Sequence, residues 1–211
     1  MSDIRVKICG LKTRDAVTAA VEAGAAYLGF NFVTRSKRHV DINTATDLAV
    51  DVPPGVAKVA LVLNADDGTL DAITTAVPLD ILQLHGDEPP ERVAQVKERY
   101  GLPVMKAVGI ADVADLQALD QYSQVADLLL VDTKPPKEGD LPGGTGLSFD
   151  WRLISNRRWE VPWMLAGGLT PDTVAQAIDL TGARQVDVAS GVEDASGEKD
   201  ARLIRAFIDA T

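Results

Sequence analysis

The sequence predicts an α/β fold: a single (β/α)8 barrel, of the TIM-barrel type, over residues 1–211. Short apolar runs alternate with helical patterns along the whole chain, and eight such units of about 26 residues fill its 211 residues. No Ser-rich linker or block of like charge divides it. The length falls at the small end of the roughly 200 to 400 residues of this barrel class. A doubly wound open sheet is the rival architecture, and the end-to-end filling favours the barrel.

Each unit has its own signals. Val6–Cys9 reads as the first strand, with Thr13 as cap of the following helix and Gly24 at its C′ position. Tyr27–Phe32 is the second strand and Asn43–Asp51 its helix. Ala57–Leu63 and Asp67–Val77 make the third unit. Ile81–Leu84 precedes a helix over Pro90–Tyr100, whose Val93, Val96 and Tyr100 form one stripe closed by Gly101. Val104–Ala107 and Asp112–Gln124 follow. Asp127–Asp132 leads into a Pro- and Gly-rich loop, Thr133–Gly146, a candidate lid. A helix over Trp151–Arg157 precedes the strand Trp163–Ala166. Thr170 as N-cap and Pro171 as first helical residue open the seventh helix, which Gly182 ends. Gln185–Val188 is the eighth strand, and the last helix aligns Leu203, Ile204, Phe207 and Ile208.

The formal net charge of −10 argues against nucleic acid as a partner, because phosphate backbones are held by clustered Lys and Arg. One cysteine rules out an intrachain disulfide and a Cys-based zinc site, and favours a reducing, cytoplasmic setting. No apolar run approaches the roughly 18 residues that span a bilayer, and no basic segment with a long apolar run opens the chain. No membrane partner is expected.

Strand side chains alternate between faces, so the apolar set should meet the helices and the polar set the barrel axis. Lys7 with Cys9, Gln83 with His85, and Gln185 with Asp187 then point inward, as does Lys106 opposite Met105. Asp132 closes the row of Leu128 and Leu130. Cys9, His85, Asp132 and Asp187 fall at C-terminal strand ends, where barrel enzymes carry their chemistry. Bland readings stand beside these. Lys7 and Lys106 could be buried structural cations paired with carboxylates. Cys9 could be a small buried hydrophobe. Arg38 could be a solvated arginine of the run Arg35–Arg38.

Glycine loops follow the late strands: Gly143-Gly144-Thr145-Gly146, Gly167-Gly168 and Ser190-Gly191. Glycine allows close backbone approach, and converging amides with a helix N-terminus hold anions. Loops seven and eight form the usual phosphate site of this fold. Since net charge repels an anion, local positive potential must come from Lys7, Arg38 and the loop amides.

These residues together resemble the phosphoribosylanthranilate isomerase family. The matching segments are Lys7-Ile8-Cys9-Gly10-Leu11, Ser36-Lys37-Arg38, Gln83-Leu84-His85-Gly86 and Leu130-Val131-Asp132-Thr133. Gly143–Gly146 with Phe149-Asp150-Trp151, Ala166-Gly167-Gly168-Leu169 and Asp187–Glu193 complete the set, in order from first strand to last. The resemblance implies Cys9 as general base, Asp132 as general acid and Arg38 as the group that meets the anthranilate carboxylate. It implies phosphate on the glycine loops, with Gly144, Gly167, Gly168, Ser190 and Gly191 among the binding residues; Lys7, His85 and Asp187 are further binding candidates from their inward strand positions. Three positions depart from it: Ala189 where serine is common, Leu63 where phenylalanine is frequent, and Lys37 where proline is frequent. None touches the acid–base pair.

The implied reaction is an Amadori rearrangement, aminoaldose to aminoketose, with no redox change and no cofactor or metal. An acid protonates the ribose ring oxygen, the ring opens to a cationic Schiff base, and a base removes the C2′ proton. Cys9 could act as thiolate if a cation such as Lys7 lowers its pKa from about 8.5. His85 could stack on the aromatic ring, hydrogen-bond Arg38, or be a satisfied core histidine. The expected partner is a small phosphorylated substrate, with the chain a monomer or homodimer. The rivals are a histidine-pathway phosphosugar isomerase, which would need a second basic glycine loop early in the chain, and a non-catalytic barrel that binds a phosphorylated metabolite.

Overall fold

Each strand hydrogen-bonds to the one before it in the chain, and the eighth returns to the first, which closes a parallel barrel. The computed structural model describes residues 3–134 and 150–211. Its strands are β1 (Arg5–Cys9), β2 (Tyr27–Asn31), β3 (Ala57–Val62), β4 (Ile81–Leu84), β5 (Val104–Ile110), β6 (Leu128–Thr133), β7 (Trp163–Leu165) and β8 (Gln185–Val188). The described α-helices are α1 (Arg14–Ala23), α2 (Ile42–Val50), α3 (Asp67–Ala76), α4 (Pro90–Tyr100), α5 (Leu116–Ser123), α6 (Val174–Thr181) and α7 (Ala201–Asp209). None of the described helices is long and apolar enough to cross a membrane. The barrel therefore stands as expected, and the open sheet does not.

Local chemistry explains most boundaries. The Thr13 hydroxyl accepts the Ala16 amide at 3.3 Å and starts α1; Gly24, at φ 100°, ends it. Asp41 and Asp66 accept the amides of Thr44 and Thr69 to start α2 and α3. Pro90 opens α4 without a side-chain cap.

Three expectations are corrected. The stretch Trp151–Arg157 is only a short 3-10 turn, Trp151–Ile154, and Ser155 and Asn156 leave it. Thr170 and Pro171 do not begin α6. The Thr170 carbonyl accepts the amides of Thr173 and Val174, and its own amide donates to the Thr173 hydroxyl, so a turn precedes a helix that starts at Val174. The fifth strand runs three residues beyond Ala107, because β6 continues to pair with it through Gly109 and Ile110.

Two apolar layers result. Val6, Ile8, Leu28, Phe30, Leu82, Leu84 and their neighbours lie between strands and helices. Tyr27, Val59, Ile81, Met105, Leu130 and Met164 fill the barrel interior. The interior is thus apolar through its middle, with buried Gln185 accepting the Tyr27 hydroxyl near the N-termini of the strands and Lys7, Gln83 and Asp187 buried nearer their C-termini.

Candidate active site

The structure places Lys7, Cys9, Gln83, His85, Asp132 and Asp187 along the inward rows of β1, β4, β6 and β8 or at their C-terminal ends, as the alternation requires. Lys106 does the opposite. In the register of β4 and β5, Gln83 pairs with Met105 and Leu84 with Lys106. Residues paired in register share a face, so Met105 points inward and Lys106 outward. The run Val104–Val108 gives no unambiguous period, and Met105 is the residue that fits the apolar interior.

Lys106 lies buried beneath α5. Its Nζ donates to Glu88 at 3.0 Å and to the carbonyl of Gly86 at 2.6 Å, and sits 5.2 Å from the Tyr122 ring. Glu88 in turn accepts the amides of Asn64 and Gly86. This pair fixes the loop after β4 and so the approach of His85; the bland reading holds for Lys106.

Lys7 is fully buried and donates to Asp187 at 2.9 Å, across the β1–β8 seam. Burial works against its charge, but Asp187 and Cys9 outweigh burial and raise its pKa. Cys9 is also buried. Burial pushes its thiol pKa up, Lys7 pulls it down, and burial prevails, so the unliganded protein holds a thiol. Lys7 therefore does not by itself create the thiolate expected from the sequence. Between these groups lies Gly29 of β2: a Cβ there would stand 3.0 Å from the Cys9 sulfur and 3.2 Å from Lys7 Nζ. Any side chain would intrude between cation and thiol.

Asp132 ends the inward row of β6. Its Oδ2 is 3.4 Å from His85 Nε2, and its Oδ1 accepts the Thr133 amide at 2.7 Å. His85 Nδ1 is 2.8 Å from the Gln83 amide nitrogen. His85 is partly exposed and faces Asp132, so it is neither a core histidine nor a partner of Arg38. A cavity of about 580 Å³ opens beside the pair, lined by Gly109, Thr133 and Lys134 among others.

Gly167 and Gly168 both have positive φ, 89° and 68°, and a Cβ on Gly167 would meet Asp132 Oδ1 at 3.0 Å and the Thr133 hydroxyl closer still. The loop after β7 therefore reaches Asp132 only as glycine. Gly191 packs equally hard on the Leu169 carbonyl, which joins the loops after β7 and β8. Ser190 opens a short 3-10 helix, Ser190–Val192. Among the described residues the amides of Gly167, Gly168, Ser190 and Gly191 donate to no protein oxygen. Such amides beside a helical turn suit an anion. Gly144 and most of the proposed lid, Thr133–Gly146, lie outside the described residues.

Arg38 is not a solvated loop arginine. Its Nε and Nη2 engage Glu193 at 2.5 and 3.0 Å, and its stem lies over Gly10, where a Cβ would come within 2.6 Å of Arg38 Cδ. That contact, with φ 81° at Gly10, explains the glycine after Cys9. Glu193, Lys199, Gly29 and Glu88 were not singled out from sequence. A glycine inside a strand, as at 29, is the one signal that marks a close approach.

Comparison with known proteins adds an independent line. Residues 6–210 match the family model described as N-(5'phosphoribosyl)anthranilate (PRA) isomerase. N-(5'-phosphoribosyl)anthranilate isomerase of Ruegeria sp. (strain TM1040) is 61% identical over all of this chain and 98% of the relative. That of Cereibacter sphaeroides (strain ATCC 17023) is 60% identical, over 100% of this chain and 99% of the relative. Among solved structures, phosphoribosyl anthranilate isomerase from Thermotoga maritima superposes with TM-score 0.88 at 37% identity, covering 98% of both chains. A second phosphoribosyl anthranilate isomerase structure, in complex with reduced 1-(o-carboxyphenylamino)-1-deoxyribulose 5-phosphate, gives 0.83 at 34%, over 98% and 97% of the two chains. The chain belongs to the N-(5'-phosphoribosyl)anthranilate isomerase family.

Proposed function

We infer that this chain converts N-(5-phosphoribosyl)anthranilate to 1-(2-carboxyphenylamino)-1-deoxyribulose 5-phosphate, an aldose–ketose rearrangement of tryptophan biosynthesis. The observation that supports the residue roles is that Cys9 and Asp132 both lie on inward rows at the C-terminal ends of their strands. Those strands, β1 and β6, are neither adjacent nor opposite, and the glycine loops after β7 and β8 follow the strands between them.

Asp132 donates a proton to the ribose ring oxygen. The C1′–O bond breaks as the anilino nitrogen lone pair forms the C1′=N bond, and a cationic Schiff base results. Cys9, as thiolate, takes the C2′ proton; the electron pair of that C–H bond becomes the C1′=C2′ double bond of an enolamine. Tautomerisation gives the ketone. Proton transfer of this kind contributes roughly 10²–10⁴-fold per group. His85, with Nε2 3.4 Å from Asp132 Oδ2, is placed to orient that carboxyl group.

The thiol must first give its proton to water. Lys7 lies beside it, and the iminium adds a second positive charge, which opposes the upward push of burial. The amides of the loops after β7 and β8, which donate to no oxygen among the described residues, take the phosphate, and Arg38 takes the anthranilate carboxylate with a charge-assisted contact. A fluorescence assay tests the reading directly: the anthranilate emission falls as product forms. Full-length protein that leaves the signal constant would remove the assignment.

A further inference from the structure

Glu193 is a deeply buried carboxylate on which three cations converge. Arg38 meets it through Nε and Nη2, Lys199 Nζ at 2.9 Å and Lys37 Nζ at 3.2 Å. Only 4% of the side chain of Glu193, and of Lys199, is exposed. Lys199 is anchored a second time, to the Ala189 carbonyl at 2.8 Å. The segment 193–199 is held as a tight hairpin by a bridge between Glu193 and Lys199 and by the Asp194 amide on the Glu198 carbonyl. On the other side, the Asn31 and Ser36 side chains shape the loop that presents Arg38.

A guanidinium has five N–H donors arranged on distinct edges. Glu193 fills one edge side-on. Among the described residues Nη1 makes no hydrogen bond, and it belongs to the other edge. The stem of Arg38, pinned across Gly10, leaves the group little freedom to turn. Burial works against the charge of Glu193, but the hydrogen bonds from Arg38, Lys199 and Lys37 hold its pKa down at about 2, so it is a carboxylate across ordinary pH.

We propose that Glu193 is the positioning residue of Arg38: by occupying the Nε edge it turns the Nη1 edge towards the ligand's carboxylate, and Lys199 holds Glu193 in place. The proposal rests on the functional reading above, since it needs a ligand with a carboxylate. It separates two roles for negative charge at one guanidinium, an internal carboxylate that orients and an external one that is recognised.

The test is equilibrium binding to the full chain of two probes: reduced 1-(o-carboxyphenylamino)-1-deoxyribulose 5-phosphate, and its phenylamino counterpart without the carboxylate. Wild type should prefer the first by tenfold or more, of the order expected for one charge-assisted contact. Glu193→Gln should lose most of that preference and keep its affinity for the second probe. In turnover it should raise KM with kcat little changed, and Arg38→Met combined with Glu193→Gln should be no worse in KM than Arg38→Met alone. Should Glu193→Gln not fold, Glu193→Asp keeps the charge but shortens the reach, and the same loss of preference is expected. A variant that folds and keeps the wild-type preference, or independent effects in the double variant, overturns the positioning role alone. Wild type that binds neither probe overturns the functional reading and this proposal together.

Discussion

Two buried lysines of this barrel share almost every local property and face opposite sides of the sheet. Lys7 and Lys106 both lie in strands, both are 0–1% exposed, and each donates to one carboxylate at 2.9 or 3.0 Å. Lys7 faces the axis and stands beside the thiol of Cys9. Lys106 faces α5 and is filled by Glu88 and two backbone carbonyls. The difference is the direction of one strand's alternation. It teaches that burial and ion pairing do not tell a lysine that faces the axis from one that faces the helices; the register of the sheet does.

The comparison can be broken at several points. The largest effect is expected at the centre of the Lys7 region: Cys9→Ala should bind ligand yet lose roughly 10²–10⁴-fold in kcat. Steady-state kinetics beside a binding measurement check it, and normal turnover would remove Cys9 from the chemistry. In the Lys106 region the loss should be in stability instead. Lys106→Met leaves Glu88 buried without its cation and should cost about 3–5 kcal/mol, with kcat of the folded fraction near wild type. Denaturant unfolding reads the first and active-site titration the second; a folded, stable but inactive variant would contradict the division.

Smaller effects sharpen the picture. Gly29→Ala inserts a methyl between Lys7 and Cys9 and should cost about 1–3 kcal/mol of strain together with a fall in kcat. Unfolding curves and kinetics on one preparation would show both. Lys7→Met should move the rise of thiol reactivity to higher pH, because Lys7 pulls the Cys9 pKa down against burial, while Asp187 pushes it up and Lys199 lowers it from the far side. Alkylation rate of the single cysteine against pH measures this, and a rise at unchanged pH would show that Lys7 does not act on the thiol. The smallest is a pH effect on stability. The folded-state pKa of Glu193 lies below its ordinary value, so its contribution is complete above about pH 4.5 and is lost as pH falls towards about 2. Melting temperature against pH should fall less steeply over that window in Glu193→Gln than in wild type.

Much of the molecule was legible beforehand, for identifiable reasons. Strands β4 and β8 and helix α4 carry strong periodicity with clear stops, and their bounds agree with the reading from residues alone. The sixth and seventh units were read less well. Trp151–Arg157 has helix-like apolar spacing but only one turn's worth of backbone bonding, and Thr170-Pro171 has the chemistry of a cap but serves a turn. Of the site, Cys9, Asp132, Lys7, Asp187 and the late glycines could be found by alternation and strand ends. Glu193 and Lys199 could not, because Glu193 engages Arg38, 155 positions away in the chain, and Lys199 matters only as a partner of Glu193.

Taken alone, the order of residues determined the number of units, the barrel, and the row of polar groups at the C-terminal strand ends, because hydrophobic period and turn chemistry are local properties. Only the closed structure decided which way Lys106 points, which carboxylate holds Arg38, and that burial outweighs Lys7 at the thiol of Cys9. Register, ion-pair partners and local dielectric depend on what the other strands bring alongside, and no single stretch of sequence contains that information.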